Sequence, residues 1–278
     1  MEQICSVRHL CKTYPGFSLS DVSFCLEKGT VTGFVGCNGA GKSTTVKALL
    51  NLVHPNGGEV SFFGLDIKKD ENEIKQKIGY ASAGTHYYER KKIKDIVEVT
   101  SRFYNKWDGR LFDRYMDKFG IDKCKKPIEL SEGMKVKFSL ACALSHGAEL
   151  LILDEPTSGL DPVSREELLE EFITLARSGT AILFSTHIIT DIEKCADKII
   201  YIKNGGIIAD CTVKQFESDY RIVKIGEDLK NDKRIIGLCV AKNGYTGLIR
   251  ANDAEGFDEV SNADCEQIMV HLEREKEL

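Results

Sequence analysis

The chain has 278 residues, 42% of them hydrophobic and 29% charged, the balance of a folded protein that buries a core without disulfide support. At about 150 residues per domain this is one large domain or two small ones. Lys and Arg number 38 against 43 Asp and Glu, a net charge of −5; that argues against a surface built to neutralise a nucleic-acid backbone, so no nucleic-acid partner is expected.

Residues 1 to about 80 alternate short β-type runs with turns. Gln3–Arg8, Leu19–Leu26, Thr30–Val35 and Glu59–Phe63 are rich in Val, Ile, Phe and Ser and bounded by Gly, Pro or Asn. A helix over Lys42–Leu52 interrupts them. Residues 84–146 turn helical: Ile93, Ile96, Val97 and Thr100 share a face, as do Leu111, Phe112, Tyr115, Met116 and Phe119. Asp108 and Ser131 stand as N-caps. Leu150–Leu153 and Ala181–Phe184 are continuous apolar runs, as in strands covered on both faces of a parallel sheet. Between them Leu168, Leu169, Phe172, Ile173 and Ala176 make an amphipathic helix opened by Pro162. Lys198–Ile202 reads as a strand and Asn204-Gly205-Gly206 as a hairpin turn into Ile207–Asp210. Arg221–Ile225, Ile235–Ala241 and Thr246–Arg250 follow as short strands, then a helix over Cys265–Glu277. The pattern is an α/β domain over residues 1–211 with a small α+β appendage over 212–278.

The longest uncharged stretches, 29–41 and 178–190, are 13 residues each, short of the roughly 20 apolar residues of a membrane-spanning helix. Glu2 and the lack of an apolar N-terminal run give no export signal. The ten cysteines show no pair spaced as structural zinc ligands and read as reduced thiols in a cytosol, mostly small core hydrophobes. The six histidines are too scattered for a metal cluster.

Gly36-Cys37-Asn38-Gly39-Ala40-Gly41-Lys42-Ser43-Thr44 matches the P-loop pattern and sits between an apolar strand and a helix, the context the motif needs. Its glycines let successive N–H groups curl around a triphosphate, and the helix N-terminus adds partial positive charge. Lys42 would reach the β- and γ-phosphates and Ser43 would bind Mg²⁺. Asp154 and Glu155 end the strand Leu150–Leu153, where an acid faces the ligand crevice of an open α/β sheet. Asp154 would hold the Mg²⁺ through water, and Glu155 would polarise the attacking water.

Leu130-Ser131-Glu132-Gly133-Met134, Ser158-Gly159-Leu160-Asp161 and His187 complete an ordered set of motifs with these, and by that set the chain resembles the ATP-binding cassette (ABC) ATPases. The resemblance implies a P-loop NTPase cassette with an antiparallel β subdomain and a helical subdomain at about 84–146. It implies the signature residues Ser131 and Gly133 and the D-loop residue Asp161, acting on the nucleotide of a second cassette. His187 becomes the γ-phosphate sensor and Tyr14 the aromatic stacked on adenine. It further implies two ATP molecules sandwiched head to tail, a homo- or heterodimer, and a separate membrane permease, with the subunit peripheral on the inner face of the cell membrane. A bacterial exporter cassette is the expectation; the alternative is a soluble clamp acting on nucleic acid or the ribosome.

The sequence departs from the family pattern in places. Ala83 stands where a glutamine usually follows an Ile-Gly-Tyr strand, leaving Ser82 or the run His86-Tyr87-Tyr88 to replace it. Glu132 replaces a signature glycine and is expected to face outward, because two unit charges about 6 Å apart repel by roughly 3 kcal/mol at an effective dielectric of 20. Cys37, near a helix N-terminus, is expected to carry a lowered thiol pKa.

Overall fold

The computed structural model describes residues 2–82, 88–227, 229–242 and 244–275. An antiparallel sheet opens the chain: β1 (Gln3–Tyr14) lies between β2 (Phe17–Glu27) and β4 (Gly57–Phe62), with β5 (Leu65–Asp66) beyond β4. Both long strands exceed the expected runs because the ladder is irregular. The register shifts between Val7 and Leu10, while His9 and Asp21 take φ of 51° and 56°. One extra residue moves every following side chain to the other face, so the alternation that marks a strand breaks at His9.

The second sheet has the order β10-β9-β3-β8-β7-β6. Strands β3 (Val31–Val35), β6 (Ile78–Ser82), β7 (Leu150–Asp154), β8 (Ala181–Thr186) and β9 (Lys198–Lys203) are parallel, and β10 (Gly206–Thr212) returns antiparallel at one edge. Val35 pairs with Thr186, Asp154 with Ser185 and Ser82 with Asp154, so the carboxyl ends of four neighbouring strands finish on one line. Phe34, Phe172 and Phe184 are fully buried beside this sheet; truncating one to Ala costs about 3–5 kcal/mol.

Helix α1 (Lys42–Leu49) leaves the line at β3. It stops short of the expected Leu52 because Asn51 turns left-handed (φ 56°) and the Leu52 and Val53 N–H groups fold back onto the Lys47 carbonyl at 2.9 and 3.2 Å. The short helix α2 (Glu71–Lys75) precedes β6. Helices α3 (Ile93–Ser101), α4 (Gly109–Lys118) and α5 (Glu132–Ser145) form the helical subdomain around Ile93, Ile96, Phe112, Met116 and Phe138. Asp108 caps α4 and Ser131 caps α5, as their positions predict. Helices α6 (Pro162–Arg177) and α7 (Ile189–Cys195) return the chain to the sheet.

The C-terminal part consists of α8 (Val213–Ser218), β11 (Tyr220–Ile225), β12 (Ile236–Val240), β13 (Tyr245–Arg250), β14 (Glu259–Asn262) and α9 (Cys265–Arg274), its antiparallel sheet ordered β12-β13-β11-β14. Its core is continuous with that of the large sheet: Phe216, Tyr220, Ile268 and Leu272 join one cluster with Ile192, Cys195 and Tyr201. The last helix ends at Arg274, short of the expected Glu277, which lies outside the described residues. Sequence reading missed β5, β14, α2, α7 and α8, which are too short for a period to declare itself; β14 is exposed along its whole length and so shows no apolar alternation. All ten cysteines are free; Cys5, Cys142, Cys195 and Cys265 are buried, and Cys37 and Cys124 are exposed. No helix among the described residues is long and apolar enough to cross a membrane.

Candidate functional site

The loop from Gly36 to Gly41 joins β3 to α1. Gly41 has φ 116°, and a Cβ there would lie 2.6 Å from Leu19 Cδ2, so conformation and space both require glycine. Gly36 is held as closely from the other side, since a Cβ would stand 2.3 Å from the Ile202 carbonyl oxygen. The next helix turn presents Lys42, Ser43 and Thr44. Lys42 is buried, and its Nζ donates to the carbonyls of Gly36 (2.7 Å) and Cys37 (3.4 Å) and lies 3.5 Å from Glu155 Oε1.

At the end of β7, Asp154 Oδ1 accepts from Ser185 Oγ (2.5 Å) and from Ser43 Oγ (3.4 Å). Glu155 adopts φ 53°, a conformation that costs a non-glycine residue of order 1–3 kcal/mol and that the surroundings must impose. They do so through its N–H, which donates to Ser185 Oγ and O at 3.0 and 3.1 Å. The turn aims the carboxylate back over the P-loop, where Oε2 meets His187 Nδ1 at 2.8 Å. Lys42, Glu155 and His187 thus form one connected group.

These residues border a cleft of about 640 Å³ lined by Cys37, Asn38, Gly39, Gly41, Lys42, Ser43, Thr44, Glu155 and His187, together with Gly16, Phe17 and Ser158. Gly36 and Ala40 are buried beneath it. Tyr14 is exposed at the end of β1 with Lys12 Nζ 5.2 Å from its ring centroid; it does not line the cleft, whereas Phe17 does. The sequence signal for Phe17 was its place across the Tyr14 turn, and that for Ser185 its position between an apolar strand and His187.

Ser131, Gly133 and Asp161 form a separate patch. Ser131 Oγ accepts from the Met134 N–H (3.3 Å) and Asp161 Oδ1 from the Val163 and Ser164 N–H groups (3.1 and 3.0 Å). Hydrogen bonds from the Ser164 side chain and backbone hold the Asp161 carboxyl below its ordinary range. A Cβ on Gly133 would stand 3.3 Å from Leu160 and 3.4 Å from Ser164, so signature and D-loop are packed together. Glu132 is exposed and paired with Lys135 at 2.7 Å, the outward placement its charge requires.

One expectation is overturned. The Cys37 thiol is raised, not lowered, because desolvation at the cleft wall and the negative Glu273 carboxylate outweigh Lys42 and Lys203. The sequence offered no sign that α9 returns to β9, beside the P-loop strand, where Tyr201 and Lys203 hold it. A second feature it hid is the fully buried Asp191, which accepts from Thr157 Oγ1 (2.6 Å) and Arg165 Nε (2.5 Å) and so ties the segment after Glu155 to α6 and α7. Ala83, His86 and Tyr87 lie outside the described residues; Tyr88 is exposed, and Ser82 pairs beside Asp154 in the sheet.

The family model described as ABC transporter matches residues 19–158, spanning the P-loop, the signature and the acids that end β7. The chain belongs to the ABC transporter ATP-binding family. The ABC transporter ATP-binding protein YtrB of Bacillus subtilis is 30% identical over 256 residues, covering 90% of this chain and 87% of its own. The ABC transporter ATP-binding protein NatA of Bacillus subtilis is 35% identical over 211 residues, 73% of this chain and 85% of its own. A solved ATP-binding subunit of an ABC transporter superposes with a TM-score of 0.70 at 28% identity over 77% of this chain and 92% of its own. This ABC cassette is an ATPase, and the YtrB match, at 90% of the chain, necessarily runs into the C-terminal part.

Proposed function

We propose that this ABC cassette closes head to tail on a second ATPase subunit around two ATP molecules, and that hydrolysis reopens the pair to drive a separate permease of a bacterial exporter. The observation that carries this reading is the division of its motifs. The P-loop, Glu155 and His187 share one cleft, while Ser131, Gly133 and Asp161 form a patch outside it. Ser131 caps a helix whose N-terminus favours an anion, so the second half of each site comes from the opposing cassette. The export direction rests on analogy with the minority of exporter cassettes that carry a C-terminal appendage, residues 212–278 here, and implies a place on the inner face of the cell membrane.

Within the cleft, Lys42 and the loop N–H groups take the phosphates, and the aromatic edge at Tyr14 and Phe17 takes the base. Ser43 and Asp154 present hard oxygen donors 3.4 Å apart, a set that fits Mg²⁺; when bound, the ion neutralises charge developing on the phosphates. Glu155 takes the proton of the attacking water. His187 fixes the Glu155 carboxylate through the 2.8 Å contact and stands ready to contact the γ-phosphate.

The test is sedimentation of the Glu155→Gln variant with millimolar ATP and magnesium, which the reading expects to be a nucleotide-bound dimer. A variant that stays monomeric sinks the shared-site reading. Co-purification of an integral membrane protein supports the permease partnership, and stimulation of hydrolysis by DNA or ribosomes instead would replace it with the soluble clamp.

A further inference from the structure

Asp191, in the first turn of α7, is fully buried and stands outside the residues that line the nucleotide cleft. Burying a carboxylate is costly unless its oxygens are met by donors, and here both are. Oδ2 accepts from Thr157 Oγ1 at 2.6 Å and Oδ1 from Arg165 Nε at 2.5 Å. Arg165 is itself fixed at the start of α6, where its N–H donates to the Asp161 carbonyl at 3.0 Å and its Nη2 to Thr190 Oγ1 at 2.8 Å. Thr157 is buried too and stands two residues after Glu155; the Ser158 N–H closes that turn on the Glu155 carbonyl at 3.2 Å. On its other side Asp191 donates its own N–H to the carbonyl of Ile188 at 3.2 Å, one residue past His187.

One residue thus grips both segments that meet in the contact between Glu155 and His187. That contact is too open to hold itself: the His187 side chain is 46% exposed, and a pair so accessible to water contributes little. Glu155, moreover, sits in a left-handed turn at φ 53°, which persists only where the surroundings over-determine it. The Ser185 hydrogen bonds fix the entry to that turn, and Thr157 on Asp191 fixes its exit. We propose that Asp191 is a positioning residue for ATP hydrolysis: through Thr157 and the start of α7 it sets the register in which the Glu155 carboxylate meets the His187 imidazole, with Arg165 as the anchor of the buried charge. It acts only through the residues it holds. This rests on Glu155 acting on the attacking water.

The test uses the full-length protein and measures phosphate release at saturating ATP and magnesium, ATP affinity by equilibrium binding, and the denaturation midpoint. Thr157→Val keeps the shape of the side chain and removes the hydroxyl. Thr157→Ser keeps the hydroxyl and loses a methyl, and Asp191→Asn removes the charge opposite Arg165. Each variant is assayed at a temperature where its midpoint shows it fully folded. Turnover is expected to fall about tenfold or more in Thr157→Val and Asp191→Asn, since misplacing a reacting group by about 1 Å can cost roughly 10²-fold. ATP affinity should stay within about twofold of the wild type, because the P-loop is untouched, and Thr157→Ser should keep about half of the wild-type turnover or more. The Thr157 pair decides by itself where Asp191→Asn does not fold. Near-wild-type turnover in folded Thr157→Val shows a role in stability alone and overturns the proposal. An equal fall in Thr157→Val and Thr157→Ser, or a fall in ATP affinity alongside turnover, overturns it as well. Glu155→Gln is run in parallel: turnover lost there but kept in Thr157→Val strikes the Asp191 assignment alone, whereas turnover kept in Glu155→Gln strikes the reading of Glu155 and the proposal with it.

Discussion

The large parallel sheet and the C-terminal sheet are built on opposite logics. In β7 and β8 nearly every residue is buried, so the strands accept only apolar side chains until their last residues, and polar groups gather at their ends, at Asp154, Glu155 and His187. In β12 and β14 most residues are partly or fully exposed, the strands bear no motif, and attachment depends on α8 and α9. A fully covered sheet concentrates its polar groups on one rim, where they can act together. A half-covered sheet spreads them along its exposed face.

That contrast can be broken or sharpened by experiment. The largest effect belongs to the rim: Glu155→Gln lowers phosphate release by about 10²–10⁴-fold, the usual contribution of a general base, while nucleotide binding persists. A fall of less than tenfold would remove Glu155 from the proton-transfer role. Next is the seam between the sheets. Phe216 is buried in the shared core, so Phe216→Ala costs about 3–5 kcal/mol and lowers the denaturation midpoint of the whole chain in one transition. Two separate transitions would show that residues 212–278 fold as an independent unit.

A smaller effect separates the two aromatics at the cleft edge. Alanine at the one that stacks on the base weakens ATP binding by about 1–3 kcal/mol; titrating ATP into Tyr14→Ala and Phe17→Ala distinguishes the exposed ring from the one that lines the cleft. The smallest is acid sensitivity. Burial lowers the pKa of His271, an effect aided by Arg274 and opposed by the hydrogen bond to the Gly237 carbonyl. Its other neighbours are Thr246 and Cys239. The native state resists protonating this ring while the unfolded chain, with an ordinary value of 6.5, does not. The stability associated with neutral His271 is therefore full above that value and lost as pH falls through the lowered native one. His146, similarly depressed by burial, acts with the same sign in the helical subdomain. Denaturation midpoints measured between pH 7.5 and 5 should fall less steeply in His271→Gln than in the wild type.

The cassette was legible because its signals are local. A P-loop is nine consecutive residues whose glycines are required by backbone geometry at the loop itself, and Asp154 follows an apolar run that only a covered strand explains. The N-caps at Asp108 and Ser131 were equally readable, since each acts on N–H groups two or three residues away. The extra length of β1 was not, because a bulge inverts the pattern that marks a strand.

The sequence alone therefore determined the identity of the fold, the phosphate loop and the acids at the strand end. The tertiary structure decided that Phe17 lines the cleft where Tyr14 does not, that Asp191 braces the segments around Glu155, and that the end of α9 is held on β9 by Tyr201 and Lys203. Each of these depends on residues far apart in the chain, and a pKa or a contact is set by what packing brings near, which no local pattern of residue types encodes.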